Sequence, residues 1–471
     1  MASRTLLGRM PIHSCGTSSS RQTMSLSLAA GARKQQHNHR SLATHAPHPV
    51  NTAGSAQHKV LVVGGGAAGL AVSHQLLRSG KFAPNEIAIV DPAQTHDYQP
   101  GWTLVGAGLK TKEELRRPLR SLIDNRLHFY NDGVATFTPQ DNFVTLRNGT
   151  EVSYDQLVVV PGIEIKYNKI NGLSEALADP NIMVSSVYGF DTCDKVNRTN
   201  QAFRKGQAIF TQPSGMVKCA GAPQKAMWLA VDKWTREGVY RPNDAASSSP
   251  IKVTFATALP VMFGVPKYSQ ELNKLRQQRG VEGLFEHDLV SIDSANKATF
   301  AKPDGSKVTR SFDSMHVVPK MGPFDFVAQS LLANASNGLV DIDEKTMRHK
   351  KFGNVWSIGD ASNLPTSKTA AAITAQAPVL VDNMMAVMAG QEPTTVYNGY
   401  TSCPILTEYG KVMLAEFKYG GEPFETFGRT LGLDQSVPRR AFYYLKKDFF
   451  PWVYYNAMVK GTWAGPKGFI R

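Results

Sequence analysis

A glycine-rich turn near residue 64 constrains the fold of this 471-residue chain more than any other feature. The apolar run 59–63 is typical of a strand, the run 64–69 (GGGAAG) follows it directly, and residues 70–78 are typical of a helix. A second strand at 86–90 ends in Asp91, 22 residues after Gly69. Strand, glycine turn, helix, strand and acid in this order predict a dinucleotide-binding βαβ unit.

Each glycine of the turn has a physical role in such a unit. Gly64 permits the tight turn, Gly66 lets the backbone approach a pyrophosphate, and Gly69 lets the helix pack close to the strand. The pyrophosphate would lie at the positive N-terminus of the helix, and Asp91 would bond ribose hydroxyls. The alternative, a glycine-rich turn that binds nothing, is disfavoured by this full context.

Two further segments distinguish FAD from NAD, because both cofactors use this fingerprint. A strand at 354–358 ends in Gly359-Asp360, and Lys368-Thr369 begin a helix. In two-domain flavin reductases the acid of this element reaches the ribityl chain, and the helix N-terminus stabilises the anionic reduced flavin. Residues 154–162 are typical of the strand that closes the first half of such domains. The three segments in this order favour FAD.

The middle of the chain is expected to hold a second Rossmann-like domain without a nicotinamide site. Residues 208–211 and 252–256 are typical strands, but no G-x-G-x-x-G follows the first of them. Cys219 occupies that turn instead, just before a helix predicted at 223–236. The helix N-terminus and Lys218 would lower the pKa of the thiol, which favours a reactive cysteine. The alternative is that Cys219 is inert packing, since free cysteines are usually buried.

The N-terminal segment has the composition of an organelle-targeting leader. Residues 1–57 contain six Lys or Arg and no acid, since the first acid is Glu86. This pattern predicts a mitochondrial transit peptide, with a disordered basic tail as the alternative. Without the six leader charges the net charge falls from +14 to +8. The remaining basic surface suits anionic lipid, and the sequence contains neither a nucleic-acid motif nor metal-ligand spacing.

Aromatic and basic residues interleave in the C-terminal segment 438–460. Several of these side chains lie three or four residues apart, and Pro451 is expected to separate two short helices. Such a pair suits the membrane–water interface, where it would open a route for a lipid-soluble substrate. The alternative is a C-terminal helix packed on the body of the protein. Truncation after about Leu433 is expected to release the chain from membranes and to leave FAD bound.

The chain resembles the sulfide:quinone oxidoreductases of eukaryotic mitochondria from about residue 59 to the C-terminus. The resemblance is carried by the aromatic C-terminus and by residues 97–108, 217–225, 363–371 and 399–404. It implies that hydrogen sulfide is oxidised to the persulfide level at a cysteine pair beside FAD, and that the flavin reduces ubiquinone. The sulfur would pass to a small acceptor such as glutathione or sulfite. The implied location is the matrix side of the mitochondrial inner membrane, as a peripheral protein held by the C-terminal helices.

The resemblance also implies roles for individual positions. Cys219 matches one catalytic cysteine of the family. With the glycine turn included, the predicted cofactor-binding residues are Gly64, Gly66, Ala67, Ala68, Gly69, Asp91, Gln99, Val134, Asp360, Lys368 and Thr369. No metal ligand and no nucleic-acid partner is predicted.

One position departs from the family pattern, in which a second catalytic cysteine directly follows the Gly-Asp pair. Ala361 occupies that position. Cys193 lies in a predicted polar helix and Cys403 in a Ser-Cys-Pro turn, so neither is an obvious substitute. Three hypotheses stay open: Cys219 acts alone or with one of these two cysteines brought near by folding; sulfide reacts through a flavin adduct or an external thiol; or sulfide oxidation has been lost and the flavin–quinone half retained.

The predicted fold is α/β, with two Rossmann-like dinucleotide-binding domains and a C-terminal amphipathic, membrane-associated helical segment. The transit peptide is expected at 1–57, the two parts of the FAD-binding domain at 58–165 and 310–397, the second Rossmann-like domain at 166–309, and the quinone and membrane region at 398–471. Two other functions compete with the oxidation of sulfide. One is an NADH:quinone reductase, and the other is a flavin-binding module without turnover.

Overall fold

Two β-sheets with parallel strands at their centres form the framework, and smaller antiparallel sheets complete it. The computed structural model describes residues 56–242 and 249–470, so the predicted transit peptide lies outside the described residues apart from its last two positions. The strands are β1 (Ala56–Val63), β2 (Ile87–Val90), β3 (Thr95–Asp97), β4 (Arg116–Pro118), β5 (His128–Tyr130), β6 (Val134–Thr138), β7 (Phe143–Leu146), β8 (Glu151–Val159), β9 (Glu164–Lys166), β10 (Val184–Ser185), β11 (Gly206–Gln212), β12 (Ile251–Thr257), β13 (Glu282–Phe285), β14 (Asp288–Ile292), β15 (Lys297–Ala301), β16 (Lys307–Ser311), β17 (Ser314–His316), β18 (Lys320–Gly322), β19 (Val355–Trp356), β20 (Thr401–Glu408), β21 (Lys411–Lys418) and β22 (Glu422–Pro423).

Helices of very different length connect these strands. The α-helices are α1 (Ala67–Arg78), α2 (Trp102–Val105), α3 (Leu173–Ala178), α4 (Cys193–Ala202), α5 (Ala222–Arg236), α6 (Pro266–Gln278), α7 (Asp325–Ala328), α8 (Ala370–Met388), α9 (Thr426–Leu431), α10 (Arg440–Tyr444) and α11 (Phe450–Asn456). A π-helical turn, Leu445–Phe449, joins α10 to α11. The helices predicted at 70–78 and 223–236 are confirmed as α1 and α5.

The first sheet has the order β5-β2-β1-β8-β7-β6, with β19 added beside β8. β1 pairs in parallel with β2 and with β8, which confirms the predicted βαβ unit. The apolar runs 60–63 and 157–160 are fully buried, as central parallel strands covered on both faces must be. β19 joins this sheet from nearly 200 residues further along the chain, so the sheet is completed by the segment that ends in Gly359-Asp360.

The second sheet has the order β10-β17-β11-β12-β13, and all of its pairs are parallel. Its central strands β11 and β12 contain the predicted strands 208–211 and 252–256. The helix α5 connects them, so the turn between β11 and α5 lies at the carboxyl end of the sheet. Ligand sites of open α/β sheets lie at this edge. Cys219 lies in this turn, at the edge of the sheet where a ligand site is expected.

The sequence interpretation of Cys403 as part of a turn is wrong, because Cys403 lies inside β20. β20 is an edge strand of the sheet β20-β21-β22, and Cys403 pairs with Ala415 of β21. The following Pro404 suggested a turn. An edge strand tolerates proline because one of its sides has no hydrogen-bonding partner.

The expectation that Pro451 separates two helices is also wrong. Residues 440–456 form one helical run, in which the π turn precedes Pro451. Pro451 then lies in the first turn of α11, where its missing N–H costs little. Phe442 and Tyr443 pack inward, whereas Tyr444 and Trp452 are 60% and 54% exposed. The run therefore has one face on the body of the protein and one face outside it.

The helix α8 is long and apolar enough to cross a membrane by length and composition, the single such helix among the described residues. Its side chains nevertheless belong to the main core, where Ala377, Leu380 and Met384 are fully buried. Length and composition are met equally by core helices of soluble proteins. The packing of α8 assigns it to the core and leaves its N-terminus free to border the active-site cavity.

Candidate active site

One cavity of about 620 Å³ is bordered by several parts of the chain that are distant in sequence, four of which contain predicted site residues or the aromatic C-terminus. These parts are the glycine turn, the turn before α5, the N-terminus of α8 and the C-terminal helical run. The predicted site residues on its wall are Gly66, Ala67, Ala68, Asp91, Gln99, Cys219, Asp360, Lys368 and Thr369. The fold thus brings the predicted cofactor residues and the predicted thiol to one cavity.

The glycine turn has the geometry that the sequence predicts. Gly64 has a φ of +114°, and a Cβ there would lie 2.5 Å from the carbonyl oxygen of Val160. A Cβ on Gly69 would overlap the carbonyl oxygen of Gly64, so the close packing of α1 requires glycine. A Cβ on Gly66 would meet no protein atom within 4 Å, because Gly66 faces open space. Gly64 and Gly69 therefore shape the turn, and Gly66 borders the space that a ligand can occupy.

Asp91 braces the same turn from the end of β2. Its Oδ2 accepts a hydrogen bond from the Gly65 N–H at 2.6 Å, and its Oδ1 accepts one from the Ala93 N–H at 2.7 Å. Burial raises the pKa of this carboxyl group, although the two N–H donors oppose the shift. The carboxylate is thus held at the cavity wall, in the position that the βαβ fingerprint assigns to ribose recognition.

The residues at the other end of the cavity fit a flavin dinucleotide. Thr369 caps α8, since its Oγ1 accepts a hydrogen bond from the Ala372 N–H at 3.1 Å. The positive N-terminus of this helix therefore borders the cavity, together with Lys368. The indole N–H of Trp102 is buried on the cavity wall without a hydrogen-bond partner in the described residues. A buried donor of this kind is normally satisfied, and a bound polar group would satisfy it.

Three predicted cofactor residues lie off the cavity wall: Gly64 and Gly69, which shape the glycine turn, and Val134. Val134 has no such role in the turn. It lies buried at the start of β6 and pairs with Leu146 of β7. Its role in binding FAD stays a prediction.

Two thiols meet beside the cavity. The Sγ of Cys219 lies 3.4 Å from the Sγ of Cys403, although 184 residues separate them in sequence. The Nζ of Lys225 lies 3.2 Å from the Sγ of Cys219. Among the open hypotheses for a partner of Cys219, the geometry supports Cys403. Ala361 is buried in the short helical turn after β19 and takes no part in the pair.

The charges around the pair distinguish the two sulfurs. A hydrogen bond from Cys403, and the ammonium groups of Lys225 and Lys446, lower the pKa of Cys219 well below its usual value despite burial. The thiolate of Cys219 and burial raise the pKa of Cys403 well above its usual value. Burial opposes the charge of Lys225, but the neighbouring sulfurs outweigh it and raise the pKa of this lysine. Cys219 is therefore the thiolate of the pair, with Lys225 as its counterion.

The sequence interpretation assigned the lowered thiol pKa to the helix N-terminus and Lys218, whereas in the structure the hydrogen bond from Cys403 and the charges of Lys225 and Lys446 lower it. The Nζ of Lys218 donates to Gln99 Oε1 at 3.2 Å. α5 begins at Ala222, and helical side chains tilt toward the N-terminus of their helix. Lys225, one turn inside α5, thus points back at Cys219, and this helical geometry is the signal that could have identified it.

The remaining described cysteine, Cys193, does not belong to the pair. It is fully buried in α4, its Sγ donates to the carbonyl oxygen of Phe190 at 3.6 Å, and burial raises its pKa to about 12. A thiol in such surroundings is protonated and unreactive at neutral pH. The hypothesis that Cys193 partners Cys219 is therefore disfavoured.

The C-terminal run closes one side of the cavity. The Nζ of Lys446, in the π turn, donates to the carbonyl oxygen of Pro100 at 2.7 Å. Burial and the charge of Lys225 lower the pKa of Lys446 to about 7. The Tyr454 hydroxyl lies 2.7 Å from Nε2 of His96, and Nδ1 of that ring lies 3.2 Å from the carbonyl oxygen of Gly65. The C-terminal run is thereby connected to the glycine turn.

Similarity to known proteins extends along most of the chain. No family model matches it. The mitochondrial sulfide:quinone oxidoreductase of Schizosaccharomyces pombe is 47% identical over 436 residues, which cover 88% of this chain and 93% of that protein. The corresponding protein of Mus musculus is 40% identical over 418 residues, which cover 88% and 89%. The X-ray structure of the sulfide:quinone oxidoreductase of Aquifex aeolicus matches with a TM-score of 0.67 and 16% identity, covering 85% of this chain and 92% of that one.

The fold and the cavity define a class of protein, the flavin-dependent oxidoreductases with two Rossmann-type domains. Within that class, three curated relatives are 40% to 47% identical to the chain over 86% to 88% of its length. The chain therefore belongs to the sulfide:quinone oxidoreductase family. The resemblance drawn from the sequence motifs is confirmed.

Proposed function

We propose that this protein oxidises hydrogen sulfide to the persulfide level and passes two electrons through FAD to ubiquinone. The observation that supports this most strongly is the thiol pair, since Cys403 Sγ lies 3.4 Å from a Cys219 thiolate on the wall of the cavity that fits the flavin. Sulfide and quinone are the substrates in the names of the relatives. The thiol pair provides the redox-active sulfur atoms that oxidation of sulfide needs.

The difference in pKa between the two thiols sets the direction of the sulfur step. In the oxidised protein the two cysteines form a disulfide, and hydrosulfide attacks the sulfur of Cys403. The bond between the two cysteine sulfurs breaks, its electron pair leaves on Cys219, and Cys403 carries the persulfide. A thiol of lower pKa is the better leaving group, so Cys219 departs as the thiolate. Lys225 stabilises the negative charge that appears there.

The sulfur then leaves the protein and the pair is restored. A nucleophilic acceptor such as glutathione or sulfite takes the outer sulfur from the persulfide of Cys403, which becomes a thiol. The Cys403 thiol and the Cys219 thiolate then re-form their disulfide and give up two electrons and one proton. Bound FAD would supply the two-electron acceptor for this step and the connection to quinone. The glycine turn, Asp91, Asp360, Lys368 and Thr369 would hold it beside Cys219.

The thiol pair weighs against the competing functions. A quinone reductase without sulfide chemistry has no need of a buried thiolate–ammonium pair, and such a pair is costly to maintain. Ala361 removes a cysteine at one position, but Cys403 offers a second thiol at another. The proposed function therefore includes sulfide oxidation and not quinone reduction alone.

We further propose a peripheral attachment to the mitochondrial inner membrane, on the matrix side. Exposed apolar side chains cluster in the C-terminal region, where Tyr444, Trp452 and Phe469 are each more than half exposed. Arg440 and Lys460, in the same C-terminal region, are exposed cations. Rings and cations in this arrangement suit the headgroup region. The helical run that carries them also borders the cavity, so ubiquinone can enter from the bilayer side.

Sulfide-dependent reduction of a soluble ubiquinone analogue, with sulfite as the sulfur acceptor, tests the proposal. Cys219→Ser and Cys403→Ser should each lower the rate about a thousandfold or more. The two sulfurs act as one unit, so the loss of either one removes the contribution of both to the rate. Cys193→Ala should keep the rate, since Cys193 lies outside the pair. Flavin content is measured in all three variants. Full activity in either serine variant with bound flavin would exclude the proposed thiol chemistry.

A further inference from the structure

Gly221 lies next to the thiol pair. The backbone conformation at this position does not require glycine. Its φ of −91° and ψ of −6° are ordinary for any residue. A Cβ on Gly221 would lie well inside 3.0 Å of Cys403 Sγ and 3.2 Å from Cγ1 of Ile405. Real Cβ atoms essentially never approach another atom as closely as the first of these contacts. The position therefore needs glycine for space.

We propose that Gly221 is a positioning residue. Because it has no side chain, it leaves the space in which the sulfur of Cys403 lies beside the sulfur of Cys219. This inference deepens the proposed function and rests on it for its consequence in sulfide oxidation. Gly221 forms the N-cap of α5, directly after the turn that carries Cys219. The Sγ of Cys403 occupies the place that a side chain of residue 221 would fill.

The surroundings of Cys403 leave its side chain little freedom to adapt. Cys403 is 1% exposed, and its backbone is held in register by pairing with Ala415 of β21. Ile405, two residues along the same strand and thus on the same face, also lies close to residue 221. An added methyl group would force the Cys403 thiol into another rotamer or displace β20. Either change would move the two sulfur atoms apart while both cysteines remain in the chain.

The test is the oxidation of the full-length protein by an azo oxidant of the diazenedicarboxamide class. The two thiols lose two protons and two electrons to form one S–S bond, and the N=N bond of the oxidant takes them up as a hydrazine. The wild-type protein should yield a cross-linked peptide pair containing Cys219 and Cys403. Gly221→Ala should cross-link at least about tenfold more slowly, because cysteines whose side chains point apart cannot be bridged without backbone movement. Flavin content should be unchanged.

A second glycine provides the matched control. A Cβ on Gly264 would meet no atom within 4 Å, and its φ is not left-handed. Gly264→Ala should therefore cross-link at the wild-type rate. Cross-linking of Gly221→Ala at the wild-type rate would overturn the inference, since it would mean that the Cys403 sulfur has another way to reach Cys219.

A third variant keeps the inference falsifiable if Gly221→Ala does not fold. Alanine is a poorer N-cap than glycine, so part of any loss of stability belongs to the helix and not to the thiol. Cys403→Ala removes the sulfur that the new methyl group would strike. Thermal unfolding measures how far Gly221→Ala lowers the melting temperature in two backgrounds. The decrease should be smaller in the Cys403→Ala background than in the wild-type background. An equal decrease in both would contradict the inference. Neither readout involves sulfide, so failure of the proposed function is detected separately.

Discussion

Cys219 keeps a left-handed backbone, with a φ of +54°, although it carries a side chain. This conformation costs about 1 to 3 kcal/mol for a residue other than glycine, and it persists where neighbouring contacts enforce it. Here the N–H of Cys219 donates to the carbonyl oxygen of Lys368 at 2.8 Å, and its own carbonyl oxygen accepts from the Ala222 N–H at 2.8 Å. The strained turn thus joins the thiol to the N-terminus of α8, where the flavin is proposed to bind.

Next to the hydrogen bond from Cys403, the charge of Lys225 lowers the pKa of Cys219. The native pKa of this thiol lies well below its usual value, so the thiolate is present above that lowered pKa and is lost as the pH falls through it. Lys225→Met removes the nearest positive charge, which should move the pH profile of Cys219 alkylation by iodoacetamide upward by about one to three units. The rate at neutral pH should therefore fall.

Lys233 is the matched control for this substitution. It lies two turns further along α5 and pairs with Glu237 at 2.7 Å, away from the thiols. Lys233→Met should leave the alkylation profile of Cys219 unchanged. If Lys225→Met gives the wild-type profile as well, the charge of Lys225 does not set the thiol pKa.

At the scale of elements, the C-terminal run is packed against the glycine turn and borders the same cavity. Burial lowers the pKa of His96, so its ring is neutral. Because the Gly65 carbonyl only accepts, Nδ1 of His96 carries the proton and Nε2 accepts from the Tyr454 hydroxyl. A Cβ on Gly461 would lie 2.7 Å from the backbone nitrogen of Gln75 in α1. The run is therefore packed tightly against both α1 and the glycine turn.

This packing changes the expected result of truncation after Leu433. From the sequence alone, the shortened protein should keep FAD. From the structure, it should lose FAD, because residues 445–468 border the same cavity as Gly65 and Gly66. The ratio of flavin absorbance to protein absorbance in the purified protein measures the outcome. Stoichiometric flavin in the truncated protein would contradict a structural role for the run.

The exposed rings of the same run should govern attachment to membranes. Tyr444→Ser and Trp452→Ser each remove an exposed ring whose burial in the lipid interface is worth about 1 to 2 kcal/mol, so each should weaken binding to anionic vesicles roughly tenfold. Flavin content should stay intact. Val261→Ser and Leu331→Ser remove apolar side chains of similar exposure outside this run and should bind as the wild type does. Equal binding by all four variants would exclude the C-terminal run as the attachment site.

The elements differ in how far the sequence alone predicts them. β1, α1 and β2 follow from local signals, since the glycines, the apolar runs and Asp91 all lie within about 35 residues of one another. The strand β20 does not, because Pro404 resembles a turn signal and only pairing with β21 shows it to be an edge strand. The single helical run across Pro451 was likewise not predictable, since a π turn has no clear local pattern.

At the scale of the whole molecule, the thiol pair exists only because distant segments converge. Cys219 lies in the turn after β11 of the second Rossmann-like sheet, Cys403 in the C-terminal sheet, and Lys446 in the helical run that follows. No local pattern indicates such a convergence, so the sequence pointed to Cys219 and to candidate cofactor residues, left Cys403 as one of two possible partners, and did not indicate the charges around the pair. The cavity wall also joins both sheets and the C-terminal run, so the proposed sulfur, flavin and quinone chemistry would share one space.

Anaerobic addition of a single equivalent of sulfide, together with sulfite as the sulfur acceptor, to the purified, flavin-loaded protein tests the central claim most directly, with sulfite alone as the blank. The flavin absorbance should bleach beyond the blank, whereas Cys403→Ser with the same flavin content should not. NADH should leave the flavin oxidised, because no glycine fingerprint follows β11. A flavin that NADH reduces and sulfide leaves oxidised would contradict the account.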